Sequence, residues 1–245
     1  MPRPSTVTIH HDSAGDYEVE VFDAKAPKRV IVTAHGNGVR RWDGKHFFHN
    51  VAEHYAEDTV LLVDQNQPEG NGVRLNPLPI LVQRVAALLH QARQLHPGVP
   101  IVLMGHSMGC AIITFVEDLS GVEAIVFVTP GAGAQGPSLV KRYGPDILRG
   151  KIVTTSDGLY KNIPAEYVAS VKGLVWEDQY AKLLHRFHPV YCFEAADEEI
   201  VGDERLVHRT LPFDDYQIIP HATHNLHGAP LEDFFTRLDP LLNRA

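Results

Sequence analysis

Ile101-Val102-Leu103-Met104-Gly105-His106-Ser107-Met108-Gly109-Cys110-Ala111-Ile112-Ile113 is the stretch whose reading decides the fold. Its first four residues form an apolar run without alternation, which predicts a central parallel strand covered on both faces. Cys110 to Ile113 begin a helix, so Gly105-His106-Ser107-Met108-Gly109 occupies a sharp strand-to-helix turn. Such a turn thrusts the serine out of the sheet and crowds its neighbours. Glycines two places before and two places after leave room for the nearby backbone, and the positive end of the helix faces the serine. Gly-x-Ser-x-Gly also occurs by chance in ordinary turns. Flanked by a strand and a helix, it marks Ser107 as a candidate nucleophile.

Working outward, apolar or alternating runs predict strands near 6–10, 16–22, 29–34, 59–64, 100–105, 122–128, 189–195 and 215–219. Leu78 to Leu95 reads as the clearest helix. Leu81, Val82, Val85, Leu88, Leu89 and Ala92 recur at three and four residues, and His96-Pro97-Gly98 ends the pattern. Strands at 100–105 and 122–128 lack alternation, so the sheet is expected to begin antiparallel and continue parallel, with helices on both faces. From Pro130 to Pro189 the pattern weakens into short amphipathic pieces such as Ala165 to Gly173 and Glu177 to Leu184. Asp64 to Gly72 reads as a polar turn.

In this order of parts the chain resembles the α/β-hydrolase superfamily along nearly its whole length. The resemblance implies an α/β fold with about eight strands, and one domain, 1–245, in which 130–188 is a small helical cap inserted after the sixth strand. His35-Gly36-Asn37-Gly38 follows a strand and resembles the segment that supplies one backbone N–H, here that of Asn37, to an oxyanion hole. The other donor implied is the N–H of Met108. Two such dipoles stabilise the negative oxygen of a tetrahedral intermediate. By itself the tetrapeptide also reads as a plain Gly/Asn turn.

A serine at its ordinary pKa is a poor nucleophile and needs a histidine base held by a carboxylate. The family's chain order is serine, acid, histidine. Val190 to Ala195 is strand-like, and Asp197, just beyond it, resembles the family's acid; Asp203, Glu194, Glu198 and Glu199 are the rival carboxylates. Among 15 histidines, His224 takes the family's place for the base, after the last strand and before the closing helix. His221 and His227 lie three residues to either side. Trp42, His106, Tyr160 and Trp176 are candidates for lining a substrate pocket, each with plain packing as its alternative.

His46 and His49, His185 and His188, and His221, His224 and His227 repeat at three residues, yet no further ligand pattern accompanies them, so no metal is expected. The net charge of −8 with no Lys/Arg run argues against a nucleic-acid partner. No apolar run approaches the ~20 residues of a membrane span. The start of the chain shows no apolar secretory stretch, so a cytoplasmic location is the expectation. Cys110 and Cys192 fall inside a helix and a strand and read as reduced, packed thiols. The sequence leaves the oligomeric state open.

The functional expectation is a serine hydrolase without a cofactor, cleaving a carboxylic ester or thioester of a small, mainly apolar acyl group through an acyl-enzyme. It rests partly on the segment from Pro130 to Pro189, rich in tyrosines and aliphatics, with Lys141, Arg142 and Lys161 taken as solvated. Two alternatives use the same residues: a cofactor-free lyase or C–C bond hydrolase, and a small-ligand receptor with a vestigial triad.

Overall fold

The computed structural model describes residues 4–10, 15–40, 47–154, 160–201 and 211–244. The strands are β1 (Ser5–Ile9), β2 (Tyr17–Phe22), β3 (Val30–Ala34), β4 (Thr59–Val63), β5 (Gln67–Glu69), β6 (Gly72–Arg74), β7 (Ile101–His106), β8 (Val122–Val128), β9 (Lys151–Thr154), β10 (Tyr160–Ile163), β11 (Val190–Ala195) and β12 (Asp215–Ile219). The helices are α1 (Phe47–His54), α2 (Leu78–Leu95), α3 (Met108–Ile113), α4 (Gln135–Tyr143), α5 (Ala165–Val171), α6 (Trp176–Leu184) and α7 (Ala229–Leu242), with a 3-10 turn over Pro145–Arg149.

The eight strands expected from the sequence join in one sheet, in the order β1-β2-β4-β3-β7-β8-β11-β12. Antiparallel pairing joins β1 to β2 and β2 to β4; every later neighbour is parallel. The central strands carry apolar side chains on both faces because both are covered. Val30, Val32 and Ala34 enter a core with Leu103 and Phe127 under α2, α3, α5 and α6. Ile31 enters a second core with Met104 and Val126 under α1 and α7. Period-two alternation therefore survives as a choice between two apolar layers rather than between core and water.

Helix α2 spans the residues that its stripe predicts, and Leu81, Val85, Leu88, Leu89 and Ala92 are buried along it. Each fully buried side chain of that kind contributes about 1.5–3 kcal/mol of transfer free energy.

Between β8 and β11 the expected small helical cap also contains strands. Besides α4, α5 and α6 it contains β9 and β10, which pair with each other, while β10 also pairs with β6. The result is a second, four-stranded sheet in the order β5-β6-β10-β9. The expected polar turn at 64–72 supplies β5 and the first residue of its partner β6. These strands are three or four residues long, too short for a period to show. Helix α6 is also more than a cover, since Trp176, Tyr180, Leu183 and Leu184 belong to the main core with Cys110 and Cys192. Both cysteines are free and buried.

Candidate active site

Ser107 sits at φ 54°, ψ −123° between β7 and α3. A positive φ is uncommon for a residue with a Cβ and costs on the order of 1–3 kcal/mol. Its neighbours fix the conformation. The Ser107 N–H donates to the Val128 carbonyl on the adjacent strand at 2.9 Å, and the Ser107 carbonyl accepts from Cys110 at 3.1 Å and Gly131 at 3.3 Å. The flanking glycines are a steric necessity. A Cβ on Gly109 would stand 1.8 Å from the Ala34 carbonyl oxygen, and one on Gly105 would stand 2.7 Å from the Cys110 nitrogen.

The His35–Gly38 segment folds back over this turn, so that a Cβ on Gly36 would lie 3.2 Å from the Cβ of Ser107. Buried His35 holds the segment in place. Its Nε2 accepts the Gln65 N–H at 2.9 Å, which leaves the proton on Nδ1 to be donated to the Gly36 carbonyl at 3.0 Å. Asn37, Ser107 and Met108 all line one cavity of about 380 Å³.

His224 is buried at 5% exposure, and four hydrogen bonds pin its backbone and ring. Its N–H donates to Glu199 Oε2 at 2.9 Å. Its carbonyl accepts from His106 Nε2 at 2.9 Å and from Thr129 Oγ1 at 3.0 Å. Its Nδ1 stands 2.9 Å from both carboxylate oxygens of Glu198. The carboxylate that meets His224 is therefore Glu198, one residue beyond the expected Asp197. Asp197 is exposed, because its N–H donates to the Ala222 carbonyl at 2.8 Å and the turn then points its side chain outward. The Glu198 side chain is only 2% exposed and accepts the N–H groups of Ile200 at 2.8 Å and Val201 at 3.0 Å. Burial pushes its carboxyl up, but the His224 ring and these two N–H groups outweigh that and hold it below the usual carboxylate range. Of the rivals, buried Glu194 accepts from the Tyr216 hydroxyl, and Asp203 lies outside the described residues. His221 and His227 are exposed.

The four candidate pocket residues separate. Trp176 lines the cavity. His106 lies beneath it rather than in it, buried and 5.2 Å from the Phe47 ring centroid. Burial, with His224 nearby, pushes its pKa down to about 3, so that its ring is neutral and can hold the His224 carbonyl as a plain donor. Tyr160 is in the second sheet, paired with Thr154, and its hydroxyl meets Glu69 at 3.5 Å. Trp42 lies outside the described residues.

Missed entirely were Thr129 and the polar residues of α4. Gln135, Ser138, Lys141 and Arg142 line the same cavity as Ser107, which corrects the expectation that the two cations are merely solvated. The spacing 135, 138, 142 on a helix was the available signal, since it places three residues on one face.

The model of the Alpha/beta hydrolase family matches residues 31–237. The chain belongs to that family. Membership supports a hydrolase and agrees with the sheet order and the elbow. Among solved structures, Est1E from Butyrivibrio proteoclasticus with ferulic acid bound is similar at TM-score 0.73 and 17% identity, covering 97% of this chain and 98% of that one. Alpha/beta hydrolase domain-containing protein 10 from mouse is similar at TM-score 0.66 and 16% identity, covering 98% and 99%. The esterase domain of a Rhodothermus marinus protein is similar at TM-score 0.66 and 15% identity, covering 98% of each chain. Identities this low carry the fold alone. A comparison with curated proteins found no match in sequence.

Among the described residues no group of three metal-binding side chains converges. No helix among them is long and apolar enough to cross a membrane.

Proposed function

We propose that this family member is a serine hydrolase of carboxylic esters, thioesters included, working through an acyl-enzyme. One observation carries the reading: a serine strained into the elbow conformation shares its cavity with two N–H-bearing residues, Asn37 and Met108, while the histidine loop beside it is clamped by Glu198. Ser107 Oγ attacks the carbonyl carbon and its proton passes to His224 Nε2. Nδ1 keeps its own proton because Glu198 accepts it there. The oxyanion is received by the N–H groups of Asn37 and Met108, each contributing about 3–4 kcal/mol of barrier lowering in sites of this type.

The C–O bond to the leaving alcohol breaks as His224 returns the proton to it, leaving the acyl group on Ser107. Water then repeats the attack, with His224 taking its proton and handing it to Ser107. Glu198 orients the imidazole and stabilises its charged form without being protonated, and His106 and Thr129 keep the His224 backbone in place. The esterase names among the structural neighbours support the same class.

The test is labelling with a fluorophosphonate and release of nitrophenol from p-nitrophenyl acetate. Wild-type protein is expected to label and to turn over with a burst, and Ser107→Ala to do neither while keeping its circular dichroism spectrum. Turnover of the ester at wild-type rate by Ser107→Ala would refute the proposal.

A further inference from the structure

Helix α4 turns a polar face toward the nucleophile. Its one buried residue is Leu139, and Gln135, Ser138, Lys141 and Arg142 line the cavity that contains Ser107. A surface helix ordinarily points its polar face at open water; here that face forms a wall of the reaction chamber. Met108, Ala132, Trp176, Ile200 and Val201 add apolar lining to the same cavity. Lys141 and Arg142 have no carboxylate partner among the described residues, and the contact of Arg142 is with the Tyr143 ring, 5.9 Å from its centroid. Among the described residues Glu199 is the one carboxylate lining the cavity, and it accepts the backbone N–H of His224. Counted over the described residues, the lining is thus net cationic on a chain whose overall charge is −8. Favourable placement of cations in a helix's last turn accounts for their being on α4. It does not require them to border the nucleophile.

Resting on the ester-hydrolase reading, we infer that the natural ester carries a carboxylate at the far end of its acyl chain, received by Lys141 and Arg142 while the scissile carbonyl lies at Ser107. A sphere of 380 Å³ is roughly 9 Å across, and at about 3.8 Å per three bonds it spans about seven bonds, which from Ser107 Oγ to the far carboxylate oxygen corresponds to an acyl chain of about five or six carbons. Monoesters of short dicarboxylic acids, glutaryl to adipyl in size, match that span and charge. The preceding carbons run along Met108 and Trp176. Exposed ion pairs are individually modest, so two such cations give a preference of about tenfold rather than thousands.

The experiment compares kcat/KM for p-nitrophenyl glutarate, which is anionic, with p-nitrophenyl valerate, its neutral counterpart, in wild type and in Lys141→Gln/Arg142→Gln. Wild type is expected to favour the glutarate by about tenfold at low salt, less at 0.5 M salt. The double variant, altered only at exposed positions, is expected to lose the preference through KM. Equal constants for the two esters in wild type, or a preference that survives in the double variant, would overturn this inference and leave the hydrolase reading standing. Failure to hydrolyse either ester, together with no fluorophosphonate labelling, would sink both.

Discussion

Replacing Glu198 by Gln separates the two neighbouring carboxylates most sharply. The Glu198 side chain is 2% exposed and both of its oxygens stand 2.9 Å from His224 Nδ1. Oε1 also accepts from Ile200 and Val201. A glutamine keeps the volume, and its amide oxygen can still accept those two N–H groups. Its NH₂ is then left facing Nδ1, which must become the acceptor, and the ring proton moves to Nε2. That tautomer cannot take the proton of Ser107. The corresponding change in a serine protease costs about 10⁴ in kcat, or roughly 5.5 kcal/mol of barrier, and the same magnitude is expected here. Asp197→Asn, at an exposed side chain, should stay within about twofold of wild type. Steady-state hydrolysis of p-nitrophenyl acetate measures both, with thermal unfolding to verify that the variants fold. If Asp197→Asn is the inactive protein, or if Glu198→Gln keeps more than a tenth of wild-type turnover, the assignment of the carboxylate from geometry is wrong.

His224→Ala should reduce turnover by several orders of magnitude, while His221→Ala and His227→Ala, at exposed positions, should change it by no more than a few-fold in the same assay. Gly109→Ala drives a Cβ to 1.8 Å from a backbone oxygen, whereas nothing lies within 4 Å of a Cβ on Gly173; the first variant should lose 3 kcal/mol or more, on the order of an overpacked core site, and the second under about 1 kcal/mol, by denaturant titration. His106, held down at about 3, stays unprotonated in the native state where the unfolded chain, with its ordinary value near 6.5, binds a proton. Its contribution is therefore intact above about pH 6.5 and falls as pH drops toward 3, by up to about 1.4 kcal/mol per unit. His106→Gln retains a donor for the His224 carbonyl but cannot titrate, so its stability should decline less steeply over that window; parallel curves for the two proteins would contradict the account.

The sheet was legible because its signals are long and mutually consistent. Ile101 to His106 and Val122 to Val128 are apolar on both faces, Leu78 to Leu95 repeats its stripe over five turns, and each matches its element to within one residue. The serine and histidine loops were legible because strand ends anchor them: Ser107 follows β7, and His224 comes five residues after the end of β12. The carboxylate was not. Beyond Ala195 the period-two rule lapses, and Asp197, Glu198 and Glu199 present the same chemistry in succession. Which of them turns inward is decided by one long-range hydrogen bond, Asp197 N–H to the Ala222 carbonyl, between loops 25 residues apart in sequence. Side-chain type carries no trace of that bond.

The cations of α4 were illegible for a related reason, and there the difference touches function. Lys141 and Arg142 in a last turn before Gly144 match the helix dipole and a glycine end, so the local pattern is complete without any ligand. What turns them toward Ser107 is tertiary. Leu139 is drawn into the core under α5, the Gln135 N–H is tied to the Leu174 carbonyl at 2.9 Å, and the Trp176 N–H reaches back to Gly133 at 3.3 Å. Those contacts fix the rotation of a helix only nine residues long. Once Leu139 is inward, Gln135 and Arg142, four places before it and three after, share its side of the helix and border the chamber. A local reading assigns these charges to water, and the assembled fold assigns them to the chamber. The chemistry of the acyl chain follows from that rotation more than from the aromatic content of the segment. Tyr167 and Tyr180 are fully buried in the core, where they hold α5 and α6 in place.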